Sequence, residues 1–135
     1  MSTLEFTVID RLFLVMYGMA SPSDDEWGSY LATVERHGIE RTMQLIITDG
    51  GEPTSEQRRE LNELLGSRVV PVAVVSSSAR VRGTVTALSW LNRRIKAFPP
   101  SELWEALAYL EIPRPRFELV EHELLRLRSR LEGTP

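Results

Sequence analysis

A short, almost uninterrupted apolar run near the middle of the chain constrains the fold most. Residues 69–75 include five valines, and the run stops at three consecutive serines, Ser76, Ser77 and Ser78. A run of this length and β-branched composition, bounded by polar turn residues, is typical of a strand that is covered on both faces. The sequence therefore predicts a central buried strand that leads into the N-terminus of a helix, as in α/β proteins.

The rest of the chain alternates between patterns typical of strands and patterns typical of helices. Residues 5–17 contain two apolar runs with a spacing of two on either side of Asp10 and Arg11, which predicts a hairpin. Apolar positions three or four residues apart predict helices that begin at Ser23, Thr54, the three serines and Ser101. Two further strands and a last helix are predicted over residues 42–48, 94–98 and 117–131.

The resulting order of elements is β-β-α-β-α-β-α-β-α-α. Strands that alternate with helices favour parallel pairing through right-handed crossovers, whereas the opening hairpin adds an antiparallel pair. We therefore expect an α/β fold in which helices pack on a mixed β-sheet.

Composition excludes several classes of function. The chain of 135 residues contains no cysteine, which rules out disulfides, thiolate metal ligands and cysteine nucleophiles. His37 and His122 are far apart in the sequence, so neither a histidine zinc site nor another metal or cofactor is expected. A net charge of −3 gives no general attraction to nucleic acid. Without a signal-like N-terminus or an apolar run of about 20 residues, the chain is expected to be cytoplasmic and not inserted in a membrane.

One strand end, taken together with the order of elements, resembles a known family. The strand sequence Leu-Ile-Ile-Thr is followed by Asp49, Gly50 and Gly51 and then by a helix. This arrangement resembles the STAS fold of anti-sigma factor antagonists and of the cytoplasmic domains of sulfate transporters. In that family the strand ends in Asp-Ser-Ser-Gly, and a partner kinase phosphorylates a serine there. Asp49 matches the aspartate, Gly50 occupies the place of the first serine, and Thr54 or Ser55 could substitute for the phosphorylated residue.

The resemblance covers roughly residues 5–110 and is closer to STAS-like proteins that approach the lipid-binding Sec14 shape. It implies a STAS-like α/β domain over residues 1–112, with residues 113–135 as a C-terminal helical extension. It also implies a non-enzymatic regulatory protein of bacterial signalling, which binds a protein partner and could self-associate. The alternative is a small-molecule binder for an acidic lipid or a nucleotide.

The candidate binding site lies where the carboxyl ends of the parallel strands meet, because open α/β sheets place their ligands there. Its residues come from two turns: Asp49, Gly50, Gly51 and Thr54, and Ser76, Ser77, Ser78, Arg80 and Arg82. Hydroxyl, helix N–H and guanidinium groups could bind a phosphate or a carboxylate. Each feature also has a structural interpretation, with glycines in a turn, serines as helix caps and arginines in solvent. No nucleophile motif is present, and no enzyme activity is expected.

The last predicted helix carries an apolar stripe that has two interpretations. The stripe consists of Val120, Leu124, Leu127 and Leu131, at helical spacing. It could dock on a second copy of the chain or on a partner, which would make it an oligomerisation surface. It could equally pack on the sheet of its own domain.

Overall fold

The computed structural model of the chain describes residues 2–88 and 94–133, and a five-stranded sheet lies at its centre. The strands are β1 (Leu4–Ile9), β2 (Leu12–Tyr17), β3 (Met43–Thr48), β4 (Val72–Ser76) and β5 (Ile95–Phe98), and they lie in this order across the sheet. β1 pairs antiparallel with β2 as a hairpin, and the other neighbouring strands are parallel. The predicted α/β fold with a mixed sheet is confirmed.

The helices among the described residues follow the predicted order. They are α1 (Asp24–His37), α2 (Ser55–Leu65), α3 (Ala79–Leu88), α4 (Leu103–Tyr109) and α5 (Phe117–Glu132). Short 3₁₀ turns, Ile39–Arg41, Pro100–Glu102 and Arg114–Arg116, precede β3, α4 and α5. Two predicted caps are confirmed, because the Ser23 side chain accepts the Glu26 N–H and Thr54 forms a reciprocal capping box with Gln57.

The helices form two layers, one on each face of the sheet. Trp27 and Tyr30 of α1 pack with the leucines of α2 against one face, and Val81 and Val85 of α3 pack beside them. Ile46 of β3 contacts both groups, so α1, α2 and α3 share a face, as right-handed crossovers between successive parallel strands require. Helices α4 and α5 cover the opposite face.

The valine-rich strand does not occupy the predicted central position. β4 lies second from the edge of the sheet, β3 is the middle strand, and β2 is buried along its whole length. The apolar run also begins before the strand, because Val69 lies outside β4 and is 51% exposed. β4 is nevertheless covered by α3 on one face and by α4 on the other, which explains its apolar sequence.

The predicted cap at Ser101 is wrong. Ser101 lies inside the 3₁₀ turn Pro100–Glu102, and α4 begins at Leu103 without a side-chain cap. Proline fixes φ at a helical value, so Pro100 starts the turn before Ser101, and Ser101 already lies in the helical path instead of the extended conformation that an N-cap residue adopts.

The apolar stripe of the last helix is buried in the core of its own chain. The hydrophobic core that includes Leu14 of β2 also contains all four residues of the stripe, Val120, Leu124, Leu127 and Leu131. The interpretation of this stripe as an oligomerisation surface is therefore wrong, and packing in cis is confirmed. Helix α5 shares the hydrophobic core of the sheet rather than extending from it.

Candidate functional site

The parallel strands bring the two predicted turns together at one edge of the sheet. The turn after β3 contacts the loop after β2, because the Gly51 N–H donates to the Gly18 carbonyl over 2.9 Å. The same turn contacts the start of α3, because Arg80 Nη2 donates to the Gly50 carbonyl over 3.0 Å. Arg80 Nη1 also lies 3.0 Å from Glu52 Oε1. The loops after β2, β3 and β4 thus form one continuous surface.

The two glycines after β3 are required by the close approach of these loops. A Cβ atom on Gly51 would lie 2.2 Å from the Ala20 carbonyl oxygen, closer than any side chain tolerates. Gly50 has a φ of +131°, in the region that favours glycine. The structural interpretation of Gly50 and Gly51 as turn residues is therefore sufficient to explain them.

Two buried polar residues connect the loops at this edge through hydrogen bonds, and these contacts were not predicted from the sequence. The Thr48 hydroxyl donates to the Gly51 carbonyl and accepts the Gly50 N–H. Gln57 is 1% exposed, and its Nε2 donates to the Pro22 carbonyl over 2.8 Å. The capping box with Thr54 uses the Gln57 side-chain oxygen, and the fold also brings its amide nitrogen to the loop before α1.

The three serines after β4 differ in their burial and in their hydrogen bonds. Ser76 is buried, and its hydroxyl accepts the Ser78 N–H over 3.1 Å. Ser78 accepts the Val81 N–H over 3.2 Å, which confirms the predicted capping role at α3. Ser77 is exposed at the surface. Arg82 turns back and donates to the Ser76 carbonyl over 2.6 Å.

The predicted anion site is therefore occupied by acceptors of the chain itself. Arg80 contacts the Glu52 carboxylate and a carbonyl, and Arg82 contacts another carbonyl. A phosphate or carboxylate ligand would have to displace Glu52 to reach the Arg80 guanidinium group.

Helix α5 contributes a residue to this edge that the sequence analysis missed. Both terminal nitrogens of the Arg128 guanidinium group face the two Asp49 carboxylate oxygens. Asp49 and Arg128 are far apart in sequence, and only the packing of α5 on the sheet brings them together. No local sequence signal could have identified this pair.

The most exposed large apolar side chain at this edge is Met19, in the loop between β2 and α1. Met19 is 86% exposed. Its loop is held on both sides, by the Gly51–Gly18 hydrogen bond and by the Gln57–Pro22 hydrogen bond. We refer to the group Met19, Asp49, Glu52, Ser77 and Arg80 as the carboxyl-edge surface.

Two buried tyrosines, Tyr17 at the end of β2 and Tyr30 of α1, lie in the core between α1 and the sheet. Burial raises the pKa of Tyr17 and of Tyr30 well above the ordinary value, so both side chains remain neutral. The Tyr30 hydroxyl donates to Gln44 Oε1 over 2.7 Å. These groups have a structural role, because they lie under the helix rather than at the exposed edge.

Comparison of the chain with protein-family models, with curated proteins and with solved structures finds no match. In residues 2–88 and 94–133, no helix is long and apolar enough to cross a membrane. Within the same ranges, no three histidine, aspartate or glutamate residues are grouped so that they could hold a metal ion.

Proposed function

We propose that the chain is a STAS-like, non-enzymatic regulatory protein of the bacterial cytoplasm that binds a protein partner through its carboxyl-edge surface. The mixed sheet, its order of helices and strands, and Asp49 at the end of β3 support the resemblance on which this proposal rests. The observation that carries partner binding is the rigid presentation of Met19.

Exposure of one apolar side chain is common and would carry no argument by itself. Met19 differs because hydrogen bonds fix its loop at Gly18 and at Pro22. A fixed loop loses little conformational entropy on binding, which favours affinity. Methionine also adapts its shape to an apolar pocket on a partner. Met19 therefore has the properties of a central anchor in an interface.

Charged and polar groups surround this anchor, as in the rim of a protein interface. Asp49 and Glu52 supply carboxylates, Arg80 supplies a guanidinium group, and Ser77 supplies an exposed hydroxyl. All of these charges are paired within the chain and partly exposed. They would contribute orientation and specificity more than affinity.

Photo-crosslinking in cells of the source organism tests the proposal. A benzophenone amino acid is placed at Met19 or at Ser77, and the control position is Val69, which is exposed and apolar but lies at the opposite edge of the sheet. We expect a discrete product with another protein from positions 19 and 77 only. Equal labelling from position 69, or no product from the two edge positions, would contradict the proposal.

The crosslinked partner is then identified by mass and purified for binding measurements. Met19→Asp should weaken its affinity by about tenfold or more, since interface anchors commonly contribute more than 1 kcal/mol. Val69→Asp should leave the affinity unchanged. Circular dichroism of both variants checks that the fold is intact.

The alternative function, binding of an acidic lipid or a nucleotide at the start of α3, has less support. The guanidinium groups of Arg80 and Arg82 already contact acceptors of the chain. An apolar cavity beneath α1 would favour lipid, but Trp27 is buried in the packed core there. Titration with inorganic phosphate, compared between the wild type and an Arg80→Ala/Arg82→Ala variant, distinguishes this function by calorimetry.

A further inference from the structure

An apolar groove crosses the α4–α5 face of the sheet. Helix α5 packs on β1 and β2, and α4 packs on β4 and β5, which leaves part of the middle strand β3 between them. Ile47 of β3 is consequently half-buried although it lies in the centre of the sheet. Met16 and Val75 complete the floor, and Leu103 and Leu124 form the walls of a space of about 320 Å³. A groove of this size can receive an apolar side chain or a small ligand.

A large exposed apolar side chain lies beside this groove. Leu125 of α5 lines the groove and is 69% exposed. It lies outside the buried stripe of α5, so its own chain does not cover it. A projecting leucine and an unfilled apolar recess therefore occur next to each other on one face.

Two opposite charges flank Leu125 along the same helix. Glu121 lies one turn before it and Arg128 one turn after it, and both line the groove. Glu121 accepts a hydrogen bond from Trp104 Nε1 over 3.1 Å, and Arg128 pairs with Asp49 but remains 31% exposed. In an antiparallel pair of such helices, each glutamate would lie opposite the other chain's arginine.

We propose that the α4–α5 face binds a second copy of this chain in a two-fold symmetric dimer. The two α5 helices pair antiparallel, and Leu125 of each copy enters the groove of the other. Glu121 of each copy pairs with Arg128 of the second copy, which gives two equivalent ion pairs. The proposal does not rest on the partner binding proposed above.

The second copy is favoured over other occupants by self-complementarity. A two-fold interface uses the same patch on both chains. The patch must therefore contain both the projecting side chain and the recess that receives it, and both members of each ion pair. Leu125 with the groove, and Glu121 with Arg128, meet both requirements. The surface is centred on Leu125, which is not a member of the buried stripe of α5; of that stripe, Leu124 reaches the surface as a wall of the groove.

The mass of the purified protein in solution, measured by light scattering over a dilution series from millimolar to micromolar, tests the dimer. The wild type should approach twice the chain mass at high concentration. Leu125→Glu should be monomeric throughout the series. Leu119→Glu is the matched control, because Leu119 is also exposed on α5 (45%) but does not line the groove, and this variant should dimerise like the wild type.

A charge exchange tests the symmetry of the pairing. Glu121→Arg and Arg128→Glu should each be monomeric, because each brings like charges together twice. Mixing the two variants should restore a dimer that contains one chain of each. Circular dichroism checks every variant, and if Arg128→Glu does not fold beside Asp49, the Leu125→Glu comparison decides. A monomeric wild type, a dimer that survives Leu125→Glu, or a mixture of folded variants that stays monomeric would overturn the proposal.

Discussion

Among the glycines of the chain, Gly51 has the least room for a side chain. We expect Gly51→Ala to lower the free energy of unfolding by about 1–3 kcal/mol, as overpacking does elsewhere, because the new Cβ would lie 2.2 Å from the Ala20 carbonyl oxygen. Gly28→Ala is the control, because a Cβ there meets no atom within 4 Å and alanine favours the helix. Urea denaturation compares them, and equal stability of the two variants would contradict the close approach.

Glu26 makes the start of α1 sensitive to acid. Burial acts to raise the pKa of Glu26, but hydrogen bonds from the Thr3 N–H (2.9 Å), the Thr3 hydroxyl (2.6 Å) and the Ser23 hydroxyl (2.9 Å) lower it below the ordinary value. A carboxyl group whose pKa is lowered by folding stabilises the fold above its unfolded-state pKa, about 4.3, and loses this contribution as the pH falls through the folded-state pKa.

We therefore expect Glu26→Gln to destabilise the protein at pH 7 and to have a smaller effect at about pH 3, below the unfolded-state pKa of about 4.3. The measurement is the free energy of unfolding in urea at both pH values. Glu60→Gln, at an exposed position of α2, is the control and should show no such difference. A Glu26→Gln effect that is independent of pH would mean that the carboxylate charge does not stabilise the N-terminus of α1.

Two of the predicted caps rest on local signals and agree with the structure, although the one at Ser101 does not, whereas the order of the strands and the contacts within the site depend on residues far apart in the sequence. The caps at Ser23 and Thr54 follow from residues three positions apart, so the sequence predicts both. The position of β4, second from the edge, depends on which strands pair with each other. The valine content of a strand indicates how buried it is, but not its place in the order of the strands across the sheet. The contact between Asp49 and Arg128 likewise requires α5 to be docked. The candidate site was thus predicted in its turns but not in its internal hydrogen bonds.

Gln57 both caps α2 and connects this helix to the loop before α1, and mutations can separate these two roles. Thr54→Ala should cost about 1 kcal/mol, the usual effect of losing an N-cap. Gln57→Ala should cost about 1–3 kcal/mol more, because it leaves the buried Pro22 carbonyl without its partner and also removes the acceptor of the partly buried Thr54 N–H. Thermal unfolding of both variants measures the difference. Equal costs would show that Gln57 acts only as a cap of α2.

Helix α5 completes the fold, and ion pairs at both of its ends connect it to the rest of the chain. Arg116 pairs with Asp10 at the start of the helix, whereas Arg128 pairs with Asp49 and Arg130 with Glu5 near its end. Partly exposed pairs such as these contribute little stability each. The buried stripe must therefore supply most of the free energy that holds α5 on the sheet. The amphipathic pattern of the sequence predicted an apolar side on this helix but did not identify the surface that it covers.

The packing of α5 is tested by comparing a buried residue of the stripe with an exposed residue of the same helix. Leu127→Ala should lower the free energy of unfolding by about 2–5 kcal/mol, because Leu127 is buried among core residues of the sheet and the deletion leaves a cavity. Leu125→Ala should change it by no more than about 0.5 kcal/mol in the monomer, since that side chain is exposed. Both variants are measured by urea denaturation at a concentration low enough to exclude dimers. If Leu127→Ala were as mild as Leu125→Ala, α5 could not be part of the core, and the groove it forms with α4 would lose its wall.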